Sequence, residues 1–537
     1  MAAHALRARR PEGDPGSVRI ERDPDLVGAR LEDAAHFPGG HARELALPAS
    51  EAQVADLLRR STSVLPIGAQ SSLTGGATPM GERLLSTARL NRIESIGAGC
   101  VRVQAGVSIA ELDRALERAG RYYPPGPTFA GAFVGGTIAT NAAGAATFKY
   151  GSTRTWVEAL TVVLPGGDVL DIERGATLAH ADGYFELDLA LASGPIRVNV
   201  PTYRMPPVPK LSAGYFAASG MDLIDLFIGS EGTLGVVTAA TLRVLPVRPA
   251  VCLAFVPFAT RRAALELARR LRDVAHETRR SRDPRGVDVA AIEHMDARSL
   301  ALIMEDGVDR AQGVRVPSGT EIALLVTLEL PPDTRSDQAF DEIGRSRDPH
   351  PPDTALVRFC SALADAGVLD EVEIAVPGDR ARADQLLAVR EAVPFAVNER
   401  VGRAKRAGDA RIEKTAADLI VPFDRLDELL TIVDREFARR GLDTAVWGHL
   451  SDGNLHPNVI PRSLADVEAG KEAILACGRE VLRLGGAPLA EHGVGRNLVK
   501  QELLRMMYGE AGIEEMRRVK RAIDPEWKMA PGVLFGR

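Results

Sequence analysis

The chain has 537 residues, 45% hydrophobic and 26% charged, enough for a sizeable core in more than one domain. Lys and Arg number 66 against 72 Asp and Glu, a formal charge of −6, and no aromatic-basic platform is visible; both argue against a nucleic-acid binder. No stretch approaches the roughly 20 apolar residues of a membrane span, and the four cysteines (Cys100, Cys252, Cys360, Cys477) form no C-x-x-C pair, which argues against a thiolate zinc site or an iron–sulfur cluster and for buried thiols in a reducing compartment.

Residues 1–25, rich in Arg, Gly, Pro and acids, lack the apolar core of a signal peptide and read as a solvated, flexible tail. Ser50-Glu51-Ala52-Gln53 has the capping-box pattern and opens a helix to about Arg60. A strand over 64–67 runs into Gly68-Ala69-Gln70-Ser71-Ser72-Leu73-Thr74-Gly75-Gly76. A strand over 101–104 precedes a second capping box at Ser108, whose helix Gly120 terminates. Pro124, Pro125 and Pro127 around Gly126 force an extended backbone. Residues 131–151 are dense in Gly, Ala and Thr. A hairpin is expected with strands 156–164 and 169–172, then a long irregular segment to Tyr215, then a third glycine loop at 229–235 and a β-branched strand over 236–247.

After Pro249 the texture changes to strands over 251–256, 322–330, 419–421 and 444–447, with helices over 261–277, 379–401 and 424–440. This order suggests an antiparallel sheet with helices on one face. From 462 onward the chain reads as mostly helical.

One stretch between the last two strands carries chemistry: Trp447-Gly448-His449-Leu450-Ser451-Asp452-Gly453-Asn454-Leu455-His456. Asp-Gly favours a two-residue hairpin turn, since both turn positions want positive φ. That turn would oppose His449 to His456 with Cβ atoms about 5 Å apart, placed to grip one metal ion. A plain hairpin with two polar residues is the other reading of these ten residues.

Glycine loops let backbone N–H groups approach a phosphate, and three of them in one region point to a large phosphate-bearing cofactor. None fits a dinucleotide-binding G-x-G-x-x-G or a P-loop. The run P-x-G-A-x-S-S-L-T-G-G (66–76), P-G-P-T (125–128), G-G-T-I-A-T-N-A-A-G (135–144), K-Y-G (149–151) and G-S-E-G-T-L-G-V-V-T (229–238) resembles the FAD domain of the vanillyl-alcohol oxidase/p-cresol methylhydroxylase superfamily over about 45–245. The resemblance implies an α+β fold: a two-subdomain FAD-binding domain over 26–248, a ferredoxin-like antiparallel-sheet cap domain over 249–475 and a C-terminal helical segment over 476–537 that completes the active site. It places Gly68, Ala69, Gln70, Ser71, Ser72 and Gly76 at the pyrophosphate. Pro127, Thr128, Gly135, Thr137, Asn141 and Gly144 are expected along flavin and ribityl, and Glu231, Gly232 and Val237 at the adenosine half. Gly75, Gly136, Tyr150, Gly151 and Val236 join them as expected cofactor contacts. Gln70 stands where many members have Thr or Asn. The first loop holds no His or Cys of the kind some members bond to flavin, so FAD is expected to be non-covalent.

The C-terminal half resembles the branch that oxidises D-lactate, glycolate and D-2-hydroxyglutarate. The residues carrying this are Ala291-Ile292-Glu293, Arg390-Glu391, Asp418 with Val421-Pro422, G-H-L-S-D-G-N-L-H (448–456), E-H-G-V-G (491–495) and Ile523-Asp524-Pro525. By that resemblance His449, His456 and Glu491 bind a divalent metal, zinc or manganese, and His492 is the general base. Arg390 is expected at the substrate carboxylate, with Asn454 and Lys414 as further contacts; Pro394 replaces a Thr frequent in the family. Tyr215, Lys210 and His294 are assigned packing or surface roles. The expected activity is FAD-dependent oxidation of a 2-hydroxy acid, with a quinone, cytochrome or electron-transfer protein as external acceptor and a homodimer among the expected assemblies. The expected location is cytoplasmic, with peripheral membrane attachment as the alternative. The rival readings are an alkyldihydroxyacetonephosphate synthase-like flavoenzyme, a metallohydrolase without flavin and a non-catalytic electron-transfer subunit.

Overall fold

The computed structural model describes residues 4–126, 129–191 and 194–537. The chain divides into two units: Met1–Gly144, Gly151–Pro246 and Leu489–Arg537 form one, and Ala145–Tyr150 with Val247–Pro488 form the other. The C-terminal segment expected from 476 is thus divided at 489, its first part staying with the second unit.

The first unit contains a five-stranded antiparallel sheet in the order Val169–Glu173, Val157–Val163, Val236–Arg243, Cys100–Gln104, Ile93–Ile96. A four-stranded sheet runs Arg19–Glu21, Leu45–Leu47, Arg83–Ser86, Val64–Ile67, its last two pairings parallel. Helix Glu51–Arg60 starts where Ser50 accepts the Gln53 N–H, and the Gln53 side chain accepts from Ala49 rather than from the cap residue. Its Val54, Ala55, Leu57 and Leu58 follow helical spacing and pack on Ala46, Val64, Val163 and Val236. Helix Ile109–Arg118 carries the full capping box expected from Ser108 and Glu111.

Three expectations about this unit are corrected. The described part of the expected tail, residues 4–25, is not free: Ala5–Arg7 pairs in parallel with Tyr184–Asp188, Arg19–Glu21 pairs with Leu45–Leu47, and the Arg9 guanidinium joins Glu51 and Asp171. Composition signals a core, but here backbone pairing and one bridging guanidinium hold a segment with few apolar side chains. The segment read as irregular up to Tyr215 contains the strands Tyr184–Asp188 and Pro195–Asn199. Cys100 is exposed, whereas Cys252, Cys360 and Cys477 are buried as expected.

The second unit is built on a seven-stranded antiparallel sheet: Glu373–Ala375, Ala250–Phe258, Ile322–Leu330, Asp288–Asp296, Thr444–His449, Asn454–Val459, Leu419–Ile420. Leu253, Phe255, Leu325 and Met295 face a core that includes Val389 and Val393 of helix Arg380–Ala407. The alternate residues Cys252, Ala254, Val256, Leu324 and Val326 are buried as well. Both faces are therefore covered, and near-continuous apolar runs such as Val-Cys-Leu-Ala-Phe-Val are the sequence mark of that.

The histidine hairpin differs from expectation in its turn. Leu450–Asp452 is a 3-10 turn closed by Gly453 at φ 83°, with the Gly453 N–H donating to Leu450 O. Only one turn residue has positive φ, so the two-residue turn cannot form. The loop has four residues, His449 is opposed to Asn454, and His456 is opposed to Trp447. The two histidines remain on one face as diagonal neighbours, within reach of long side chains. Ser451 fixes the loop by accepting the Ile292 N–H at 3.1 Å. Among the described residues, no helix is long and apolar enough to cross a membrane.

Candidate functional site

In the first unit a cleft opens where the three glycine loops end. Gly68 through Ser72 and Gly76 line it from the first loop, Gly135, Gly136 and Thr137 from the second, and Glu231, Gly232, Val236 and Val237 from the third. Glu491 and His492 line it too. A Cβ on Gly136 would meet nothing within 4 Å, so this backbone faces open space, whereas one on Gly135 would lie 2.7 Å from Ala105 Cβ; that glycine serves close packing. Gln70, at φ 57°, braces the first loop by donating to Arg30 O and Ala77 O at 2.9 Å each. Its Oε1 is buried with no hydrogen-bond partner among the described residues. A loop with hydroxyls, bare backbone and an acceptor awaiting a donor fits a cofactor of mixed polarity such as FAD.

Other expected cofactor residues lie elsewhere. Gly75, at φ 73°, packs on Phe37 and donates to Asp33 at 2.7 Å. Asn141 braces its own region, donating to Leu211 O and accepting the Arg154 N–H. A Cβ on Gly144 would lie 2.7 Å from Gly126 O, and Gly151, at φ 75°, sits where the chain re-enters this unit. Tyr150 belongs to the second unit, where its hydroxyl donates to Glu329 at 2.6 Å. Pro127 and Thr128 lie outside the described residues.

Glu491 and His492 sit on irregular backbone, followed by Gly493 at φ 76° and Gly495 at φ 57°. Fully buried Lys210 approaches Glu491 with Nζ 2.7 Å from Oε2, and His492 Nε2 lies 3.5 Å from Glu491 Oε1. No local pattern signals the Lys210 contact, because the proline-rich segment around it has no periodicity. Tyr215 is a core residue whose hydroxyl meets Thr233 Oγ1 at 2.7 Å. Glu231 is half-buried with φ 51°; its carboxylate accepts the N–H groups of Val494 and Gly495, and desolvation pushes its pKa up to about 7.

In the second unit one sheet face gathers His449, Asn454 and His456 with two carboxylates. Glu293 is the cross-strand partner of His449, and its Oε1 meets His449 Nδ1 at 2.6 Å. Its Oε2 takes the Arg390 guanidinium, with Nη2 at 2.8 Å and Nε at 3.0 Å. The rings of His449 and His456 meet edge to face, centroids 5.3 Å apart. The register Leu419↔Leu455 continues to Asp418 beside His456, and Asp418 Oδ1 lies 3.5 Å from His456 Nδ1. The same oxygen accepts from Asn454 Nδ2 at 3.0 Å. A carboxylate on Nδ1 fixes the imidazole tautomer and turns the other nitrogen outward, the usual second partner of a metal-binding histidine. Sequence reasoning named Glu293 and Asp418 only as parts of motifs. A charged residue inside the apolar strand Ala290-Ala291-Ile292-Glu293-His294-Met295 was the available signal. Lys414 is half-buried in the extended segment before Leu419–Ile420. His294 is fully buried; burial and the nearby Arg261 and Arg390 hold its pKa down at about 3.

Comparison with known proteins agrees with this picture. A family model described as FAD linked oxidases, C-terminal domain, matches residues 249–534, and one described as FAD binding domain matches 42–173. A D-lactate dehydrogenase of Anaerostipes hadrus is 27% identical over 479 residues, covering 88% of this chain and 84% of that protein. The glycolate oxidase subunit GlcD of Bacillus subtilis is 27% identical with coverages of 88% and 84%. A D-2-hydroxyglutarate dehydrogenase of Xanthomonas citri is 29% identical, covering 91% and 89%. Among solved structures, an alkyldihydroxyacetonephosphate synthase shares the fold, with a TM-score of 0.57 at 16% identity over 95% of this chain and 82% of that one. The first unit's three-loop cleft and the two matched domains lead to one conclusion: the chain belongs to the FAD-linked oxidases, as a flavin-dependent oxidoreductase.

Proposed function

We propose that this chain oxidises a D-2-hydroxy acid to the 2-oxo acid, with FAD bound non-covalently and a divalent metal held by His449, His456 and Glu491. The single observation that supports this best is Glu293, whose carboxylate joins His449 to Arg390 on one sheet face. A guanidinium steadied beside paired imidazoles is suited to a small acid whose carboxylate and adjacent hydroxyl must be gripped together. The relatives named for D-lactate, glycolate and D-2-hydroxyglutarate point to the same class.

Arg390 binds the substrate carboxylate through the N–H groups that Glu293 leaves over. Asn454, whose Oδ1 is buried without a hydrogen-bond partner among the described residues, and Lys414 supply further polar contacts. His492 takes the hydroxyl proton as general base. The metal supplies a Lewis acid that lowers the pKa of the hydroxyl. FAD supplies the two-electron acceptor for the Cα hydride, and the protein positions it. Reoxidation falls to an external acceptor, since no cysteine motif for a cluster is present.

The test is anaerobic stopped-flow mixing with D-lactate, glycolate and D-2-hydroxyglutarate. Bleaching of the flavin absorbance by at least one of them is expected. An enzyme that retains FAD but is bleached by no 2-hydroxy acid would contradict the proposal.

A further inference from the structure

We infer that Glu231 is a positioning residue: its carboxylate sits in a backbone nest and fixes the loop that carries His492. The inference rests on His492 acting as the base, and the geometry behind it lies within the first unit. Oε1 accepts the Val494 N–H and Oε2 the Gly495 N–H, each at 2.8 Å. Successive N–H groups around glycines of positive φ form a concave anion site, and here the anion is a side chain of the same protein. The fit is tight from both directions. A Cβ on Gly493 would lie 2.9 Å from Glu231 Oε1, and a Cβ on Gly495 would lie 2.3 Å from Thr74 Oγ1.

Glu231 is itself held firmly. Its N–H donates to Ala139 O at 2.8 Å, and the Gly229 N–H donates to Ile138 O at 3.0 Å, so the third glycine loop is tied to the second. The loop beyond the nest is anchored too: the Arg496 N–H donates to Thr74 O, and Gly495 O accepts from Leu534 N. One carboxylate therefore couples the glycine loops of the cofactor cleft to the segment two residues beyond His492. The resemblance to known flavoproteins predicts a contact with adenosine for this residue, which does line the cleft, and its two carboxylate oxygens also accept from the loop. The function this gives Glu231 is to hold the base at a fixed height over the cleft. A misplacement of about 1 Å can slow a reaction on the order of 100-fold.

Glu231→Gln keeps the shape but offers one acceptor oxygen and turns an NH₂ group toward the other N–H. The measurements are FAD content, the rate of flavin reduction by whichever 2-hydroxy acid reduces the unmodified enzyme, and hydrogen exchange over residues 489–500. We expect full FAD content, reduction slowed about 10- to 100-fold, and faster exchange at 493–495. In a His492→Ala background the same change should slow reduction less than about two-fold, because it acts through that histidine. A purely structural role would slow both backgrounds alike. Gly493→Ala, which presses on the contact from the loop side, should reproduce the phenotype and serves if Glu231→Gln does not fold. Unchanged exchange in both variants, an unmodified reduction rate, or a full additional loss in the His492→Ala background would each overturn the inference. If no 2-hydroxy acid reduces the unmodified enzyme, the proposed function has failed, and the exchange result alone then decides the nest: unchanged exchange overturns it, faster exchange at 493–495 supports it.

Discussion

Glu293 is the residue on which two side chains of the second unit converge. Its two oxygens serve different partners, His449 and Arg390, so one substitution should disturb two functions at once. Glu293→Gln is expected to lower metal affinity about 10- to 100-fold, the usual cost of losing the carboxylate that orients a ligating imidazole. Metal content against chelator concentration would check this; unchanged retention would assign the contact to packing. Arg390→Lys keeps the charge but loses the planar fork. It should raise KM for the acid about 10- to 100-fold, consistent with the loss of a charge-assisted hydrogen bond. His294 gives a pH prediction. Its native pKa of about 3 lies below the ordinary 6.5, so the unfolded chain takes up a proton that the native one refuses. Stability from this group is present above pH 6.5 and is lost as pH falls toward 3. The loss reaches about 2–3 kcal/mol at pH 4.5. His294→Leu should flatten the acid limb of a stability–pH curve; an unaltered limb would show that other groups govern it.

Among the elements, the hairpin Thr444–His449 and Asn454–Val459 decides whether the two imidazoles meet. Its turn cannot be read from sequence because Asp-Gly serves equally well in two geometries. A 3-10 turn ending in one left-handed glycine lengthens the loop from two residues to four and moves the register so that the histidines become diagonal. The closeness of the two histidines was legible because both lie on the same face either way; the turn was not, because it depends on tertiary anchors. Ser451 accepting from Ile292, and Val421 N donating to Gly453 O, are contacts no local pattern reveals. Gly453 has no room for a side chain: a Cβ would lie 2.2 Å from Val421 O, on backbone already at positive φ. Gly453→Ala should therefore cost at least about 1–3 kcal/mol and weaken metal retention. Denaturant unfolding would measure the first; a cost near zero would mean that the turn reshapes freely.

At the scale of the whole molecule, the two units were legible in outline and not in their boundaries. Strands such as Ile322–Leu330 announced themselves through long apolar runs, and the glycine loops through their density. Discontinuity hid the rest. The short helix Thr147–Tyr150 interrupts the first unit's sequence yet belongs to the second, where Lys149 pairs with Asp288 and Glu329. A K-Y-G motif read as a cofactor contact gave no hint of those partners, which follow it by more than a hundred residues. The N-terminal strand Ala5–Arg7 escaped for the same reason, since its partner is near residue 186. The proposed reaction is oxidation of a D-2-hydroxy acid with metal and flavin. It is tested most directly by scoring anaerobic flavin reduction across paired D- and L-2-hydroxy acids, with and without a chelator. The account predicts bleaching by a D-acid, little by its L-partner, and a rate that falls on chelation and returns with added zinc or manganese. Equal reduction by both enantiomers, or a rate indifferent to chelation at proven metal loss, would contradict it.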